Sequence, residues 1–251
     1  MKVIAHRGAN KYYPQNTIPA FQKAAQLGAD GIETDVHLTK DGQVVICHDY
    51  TINGTSDGTG DINLMTLAEL RQFDFGSYRG EQFAGIRIPT LEQLFEVVGG
   101  LEIINIEVKP PRDHSMLIVE KTLAIAERFG LTEKLLISSF DCDVILAAKQ
   151  IDGRIKTGML YSIVEEETPH LEELLDDPAA FVKPYRADAL HPFVMMMSEE
   201  YIADAHAAGL AVNPWTVNSP DAIQYLLTLG CDGIITDTPD IAIKAIAAQE
   251  Q

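Results

Sequence analysis

Two hydrophobic rhythms alternate along the chain. Short runs rich in Val, Ile and Leu recur between longer stretches whose apolar residues fall three and four positions apart. The first rhythm marks buried strands and the second amphipathic helices. Strands are predicted at Lys2–Ala5, Ile103–Val108, Leu135–Ser138, Lys156–Tyr161, Ala187–Leu190, Ala211–Trp215 and Gly233–Thr236. Between Gly31 and Asp49 apolar and polar residues alternate on either side of Lys40-Asp41-Gly42, which predicts a hairpin whose second strand is Val44–His48. Helices are predicted from behind Pro14-Gln15-Asn16-Thr17 to Leu27, behind Thr90 over Leu91–Val98, then over Met116–Phe129, Val144–Ile151, Glu199–Ala208, Pro220–Leu229 and from Pro239 onward. Gly130, Gly209 and Gly230 sit just past helices, as C-terminal caps do. The acidic stretch Glu165–Asp177 reads as a solvated helix. From 50 to 88 the texture changes to the turn-rich Asn53–Gly60 run, one short helix over Thr66–Phe73 and further glycines, which reads as a small insertion.

Alternating strands and helices imply an α/β fold with a mostly parallel sheet. Of nine strands, Val44–His48 is a hairpin appendage, leaving eight. The expectation is a TIM (β/α)8 barrel as a single domain over 1–251, with the 50–88 insertion following the hairpin. Two small domains would fit the length as well. An open doubly wound sheet would favour a Gly-rich phosphate loop after the first strand, and the sequence has none there.

A net charge of −18 makes nucleic acid or an anionic membrane an unsuitable partner, and a small anionic substrate would need local positive charge in its site. Cys47, Cys142 and Cys231 have no motif spacing, which fits a reducing compartment. Met1-Lys2 leads directly into a strand with no signal peptide, and no apolar run has the length of a membrane span. A cytoplasmic protein without stable membrane association is expected, and a homo-oligomer is left open.

Barrel enzymes work at the C-terminal ends of their strands, and the chemically interesting residues collect there. Strand alternation puts Glu33, Asp35 and His37 on one face. His48 shares that face if the turn holds two or four residues, whereas a three-residue turn would break the arrangement. Glu107 ends another strongly apolar strand. Three carboxylates in a barrel mouth need compensation, and a hard divalent cation with oxygen ligands, Mg²⁺ or Ca²⁺, supplies it. Lys109 shares the face of Glu107 and offers a fixed positive charge, or else only snorkels from a strand end. Arg7 offers a fork for phosphate oxygens, or else bridges to Glu33 or Asp35. His6 and His48 end apolar strands beside this cluster and fit general acid and base. His37, His114, His170, His191 and His206 read as structural or surface residues, and Met195-Met196-Met197 with Tyr201 as packing. Trp215 could wall the pocket or cover the barrel rim.

His6-Arg7-Gly8, Pro14-Gln15-Asn16-Thr17, Ile32-Glu33-Thr34-Asp35-Val36, Thr39-Lys40-Asp41-Gly42, His48-Asp49, Ile88-Pro89-Thr90-Leu91, Ile106-Glu107-Val108-Lys109, Trp215-Thr216-Val217-Asn218 and Asp232-Gly233-Ile234-Ile235-Thr236-Asp237 together resemble the glycerophosphodiester phosphodiesterase family, in order along almost the whole chain. That family is similar in fold to phosphatidylinositol-specific phospholipase C. The resemblance implies hydrolysis of glycerophosphodiesters to sn-glycerol 3-phosphate and an alcohol. It implies a divalent metal on Glu33, Asp35 and Glu107, an acid/base pair in His6 and His48, and phosphate contacts from Arg7 and Lys109. Gln15 departs from the glutamate of the family signature, and Gly54 stands where an arginine usually opens the insertion. Lysophospholipase D or cyclising phospholipase chemistry on the same site, and a non-catalytic sensor, are the alternatives. The aromatics of the insertion are interleaved with charges, which favours a water-soluble diester.

Overall fold

A computed structural model describes residues 1–164 and 168–249. Its strands are β1 (Lys2–His6), β2 (Gly31–Leu38), β3 (Val44–Ile46), β4 (Ile103–Val108), β5 (Leu135–Ser139), β6 (Lys156–Tyr161), β7 (Ala189–Pro192), β8 (Ala211–Val212) and β9 (Gly233–Thr236). Eight of them run parallel in the order β8-β7-β6-β5-β4-β2-β1-β9, and β3 pairs antiparallel with β2 outside this path. The two ends of the sheet meet through Asp232 N–H to Val212 O at 3.2 Å and Ile235 N–H to Pro214 O at 3.0 Å, which closes the ring. The fold is thus the expected eight-stranded parallel barrel.

The helices α1 (Ile18–Gln26), α2 (Leu67–Leu70), α3 (Leu91–Val98), α4 (Leu117–Arg128), α5 (Cys142–Ile151), α6 (Leu171–Asp176), α7 (Pro178–Val182), α8 (Glu199–Ala207), α9 (Pro220–Leu229) and α10 (Pro239–Ala247) lie between the strands. Outward-facing Ala5, Ile32, Ile104, Ile106 and Ile137 pack with Phe21, Leu94, Phe95 and Leu123 from the helices. Val3, Met159, Leu190, Val212 and Ile234 do the same with Ile202, Ile223, Leu226 and Ala242 on the other half of the ring. Residues 50–88 gather Ile52, Ile62, Leu70, Phe75 and Ile88 with Val45 and Cys47 into a third cluster.

Several expectations shift at their edges. Thr90 does cap α3, in a capping box with Gln93, but Thr17 does not cap α1, because its hydroxyl donates to Pro14 O instead. Of the acidic stretch, 165–167 lie outside the described residues, and helix begins only at Leu171. β8 stops at Val212, ahead of Pro214, which cannot donate to a ladder. Met195 is 78% exposed and does not pack, whereas Met196 and Met197 do. Gly130, Gly209 and Gly230 take the left-handed backbone expected of helix caps.

Inside the ring lies a polar belt. The Ser138 hydroxyl donates to Asn105 Oδ1 at 2.9 Å, and Asn213 Nδ2 lies 3.2 Å from His191 Nε2. Two glycines make room for it. A Cβ on Gly158 would come within 2.5 Å of His191 Nε2, and one on Gly233 within 2.6 Å of Asn213 Oδ1. At the opposite end from the candidate chemistry, three aspartates lock strand register by accepting a backbone N–H from the neighbouring strand. Asp30 takes Val3, Asp188 takes Thr157 and Asp232 takes Val212.

Asp188 also holds the nearly buried Lys149 at 2.5 Å, and Lys149 donates to Ile155 O. Removing it leaves a buried ammonium half-satisfied, so Asp188→Ala is expected to cost about 3 kcal/mol in urea unfolding. Burial pushes His191 down to about 3, and His37 to about 4 against the hydrogen bond of His37 to His48 O. Below the ordinary histidine value of 6.5 the unfolded chain therefore takes up protons that the folded chain refuses. Stability is full above 6.5 and falls with pH, by up to about 1.4 kcal/mol per pH unit for each group. His191→Gln is expected to flatten that acid slope, measured as unfolding free energy across a pH series.

Candidate active site

The C-terminal end of the barrel opens into a cavity of about 850 Å³ whose lining includes His6, Arg7, Glu33, His48, Glu107, Lys109 and Trp215. Parallel register explains the gathering. His6 on β1 pairs with Glu33 on β2, and Asp35 on β2 pairs with Glu107 on β4. Asp35 itself is fully buried and does not line the cavity. Carboxylate oxygens of Glu33, Asp35 and Glu107 come within 4.8 Å of one another.

Positive charge reaches this cluster from two sides. Lys109 Nζ lies 2.6 Å from Glu107 Oε1 and 3.3 Å from Asp35 Oδ1. Arg7 donates its backbone N–H to Glu33 Oε2 at 3.0 Å, and its Nε lies 3.6 Å from Asp35 Oδ2. Arg7 and Gly8 both take left-handed backbone, and a Cβ on Gly8 would come within 2.7 Å of the Ala20 backbone. This tight turn, strained at the non-glycine Arg7, aims the Arg7 N–H at Glu33. Asn16 Nδ2 donates to Asp35 Oδ2 at 2.8 Å.

The compensation is incomplete. Burial drives Glu33 well above the usual carboxylate range, with the Asp35 and Glu107 charges adding to it. Burial likewise pushes Glu107 up to about 7 against the pull of Lys109. Burial would also raise Asp35, but the Lys109 and Arg7 charges outweigh it and hold that acid well below its ordinary value. Asp35 Oδ1 has no hydrogen-bond partner. Clustered oxygen donors, one of them buried beside Lys109 with no hydrogen bond, fit a hard divalent cation.

His6 and His48, two of the three histidines that line the cavity, are each held by a carboxylate. His6 Nδ1 lies 2.7 Å from Asp237 Oδ1, and His48 Nδ1 lies 2.6 Å from Asp49 Oδ1. An ionised carboxylate can only accept, so Nδ1 carries the proton in both rings and Nε2 is the free nitrogen. His6 Nε2 lies 4.0 Å from Glu33 Oε2. Burial lowers His6 against Asp237, and lowers His48 against the Asp35 charge.

His48 does not reach the cavity by the route expected. Val36 pairs with Ile46 and Leu38 with Val44, and Thr39 N–H donates to Gln43 O, which makes the turn the three residues 40–42. That is the register expected to break the shared face. It does no harm, because β3 ends at Ile46 and the chain bends before His48. His37 lies 3.2 Å through Nε2 from His48 O and packs its ring edge-on to Tyr50. Trp215 walls the cavity, edge-on to Phe140 and Phe193, with Nε1 donating to His191 O. His114 stands at the mouth, 3.5 Å from Asp141.

Asp237 carried no role in the sequence reading, yet it ties His6, Asn10 and Asn218 together. A signal for it was present. Asn16–Asp35 recurs ungapped as Asn218–Asp237, and Leu27-Gly28-Ala29-Asp30-Gly31-Ile32-Glu33-Thr34-Asp35 differs from its copy only at Ala29/Cys231 and Glu33/Ile235. The bonds repeat with the residues. The Thr34 hydroxyl donates to Asn16 Oδ1 and Asn16 Nδ2 to Asp35, just as Thr236 donates to Asn218 Oδ1 and Asn218 Nδ2 to Asp237. The two copies flank β1 on either side.

Comparison with known proteins agrees with this architecture. The profile of the glycerophosphoryl diester phosphodiesterase family matches residues 6–241. A glycerophosphodiester phosphodiesterase of Caldanaerobacter subterraneus is 38% identical over 97% of both chains, and one of Bacillus altitudinis 34% over 97% of both. An Oleispira antarctica phosphodiesterase, solved in complex with the product sn-glycerol 3-phosphate, superposes with a TM-score of 0.88 at 30% identity, covering 98% of this chain and 97% of that one. A Thermotoga maritima glycerophosphodiester phosphodiesterase does so with a TM-score of 0.76 at 30% identity over 97% of both. The match spans barrel and site alike, and the chain belongs to the glycerophosphoryl diester phosphodiesterase family of phosphoric diester hydrolases.

Proposed function

We propose that the chain hydrolyses small water-soluble glycerophosphodiesters, such as glycerophosphocholine or glycerophosphoethanolamine, to sn-glycerol 3-phosphate and an alcohol. The observation that carries this reading is the pairing of His6 and His48, each held through Nδ1 by an acid, beside three clustered carboxylates in one cavity. The product held by the Oleispira antarctica relative supports the same substrate class.

Glu33, Asp35 and Glu107 would hold one divalent cation, Mg²⁺ or Ca²⁺, and the bound ion would act as Lewis acid on a non-bridging phosphate oxygen. Arg7 and Lys109 stand beside it as fixed positive charges for the remaining phosphate oxygens, within a chain that is otherwise strongly acidic. One histidine takes the proton of the nucleophile through Nε2 as the new O–P bond forms. The other enters the step as imidazolium, its Nδ1–H kept by its carboxylate, and gives its Nε2 proton to the alcohol oxygen as the old O–P bond breaks. The nucleophile is water, or the glycerol 2-hydroxyl, which would give a cyclic phosphate that water then opens. Asp237 keeps His6 in the tautomer with Nε2 free and steadies the charged ring. Trp215 walls the cavity against bulk water.

Among the described residues no helix is long and apolar enough to cross a membrane. The exposed aromatics of the 50–88 segment, such as Tyr78, engage the barrel rather than forming an apolar patch. The placement of these aromatics supports a soluble diester over a lipid one.

Three measurements test this reading. In an assay for released sn-glycerol 3-phosphate, EDTA is expected to abolish activity and Mg²⁺ or Ca²⁺ to restore it; activity that ignores EDTA would sink the metal role. His6→Ala or His48→Ala is expected to lower kcat by about 10²–10⁴-fold with an unchanged circular dichroism spectrum. Asp237→Asn is expected to lower kcat by at least about tenfold while KM stays within about twofold, the pattern of a lost orienting acid.

A further inference from the structure

Arg7 is held by more than acids. Its Nη1 donates to Gln15 Oε1 at 2.7 Å, while Nε, buried and without a hydrogen-bond partner, faces the carboxylate cluster. Gln15 is in turn gripped from the 50–88 segment. Its backbone N–H donates to the Tyr78 hydroxyl at 3.2 Å. One residue on, Arg79 Nη2 donates to Asn10 O and Lys11 O at 3.1 and 3.0 Å, and Phe83 packs its ring 5.4 Å from Tyr13. Residues 78–83 therefore fasten the loop 10–15 at several points, and that loop ends on the Arg7 guanidinium.

The chemistry of residue 15 decides what this grip does. An amide oxygen fixes a guanidinium by one hydrogen bond to a neutral acceptor and leaves its charge whole. A carboxylate in the same place would form a charge-assisted, bidentate pair and neutralise it. Arg7 already faces Glu33, Asp35 and Glu107, so where the family signature has glutamate, the amide of Gln15 leaves more of the Arg7 charge for a phosphate. We propose that Gln15 is a positioning residue, a neutral acceptor that presents Arg7 to the substrate phosphate with its charge uncancelled, and that segment 78–83 holds it in place. The inference rests on the reading of Arg7 as a phosphate contact.

A double-mutant cycle tests it on the metal-loaded enzyme, reading kcat and KM on glycerophosphocholine and the Kd of sn-glycerol 3-phosphate by calorimetry. Gln15→Glu is expected to raise KM and Kd about tenfold, the scale of one charge-assisted hydrogen bond, with kcat within about twofold. Gln15→Met, which loses the acceptor without adding charge, is expected to raise both about threefold. In an Arg7→Ala background neither change should have further effect. Unchanged KM and Kd in Gln15→Glu, or the same penalty with and without Arg7, would overturn the role of Gln15. Unchanged KM and Kd in Arg7→Ala alone would instead remove Arg7 from phosphate binding, and this proposal with it. Both Gln15 variants lie at a half-exposed position, so they decide the matter even where Arg7→Ala fails to fold.

Discussion

Three carboxylates buried within 4.8 Å of one another set the terms for everything at this end of the barrel. Their mutual repulsion in a poorly solvated mouth is too costly to stand alone. The fold answers with Lys109 two residues beyond Glu107, with the left-handed turn that brings Arg7 against Glu33, and with Asn16 on Asp35. Even so, Glu33 and Glu107 stay above their ordinary range, and Asp35 Oδ1 has the Lys109 charge at 3.3 Å but no hydrogen bond. A cation completes this arrangement more naturally than any further side chain would.

The barrel and most of this cluster were legible in the chain, because both follow from local periodicity. Leu91–Val98 and Pro220–Leu229 are helices with the bounds expected, since Thr90 or Ser219 and Pro220 start them sharply. Glu33, Asp35 and Glu107 follow from alternation and from ending a strand. The hairpin was legible in kind but not in register. Lys40-Asp41-Gly42 marks a turn without fixing how many residues leave the ladder, and nothing local says that β3 ends at Ile46. His48 owes its place to the bend after that strand, where His37 meets its carbonyl.

Partners distant in sequence were illegible for a different reason. Asp237 and His6 sit at opposite ends of the chain and meet only because the last strand, β9, pairs in parallel with the first, β1. Gln15 looked like a local departure in a loop. Its surroundings depend on residues 78–83 folding back across the barrel rim, a contact that periodicity does not encode.

The repeated unit on either side of β1 has an evolutionary reading. Two helix-then-strand stretches that share the Leu-Gly-x-Asp-Gly-Ile-x-Thr-Asp core, the same Thr–Asn–Asp bonds and matching places beside β1 are the mark of a duplicated αβ module whose copies kept their scaffold and parted in their use. Within the strand itself the copies differ at one inward position, Glu33 in the first and Ile235 in the second. Where glutamate stands, the terminal aspartate joins a carboxylate cluster; where isoleucine stands, the same aspartate has an imidazole as its neighbour. One scaffold thus places a carboxylate in an acidic cluster on one flank of β1 and a carboxylate that orients an imidazole on the other, with β1 as the seam between them.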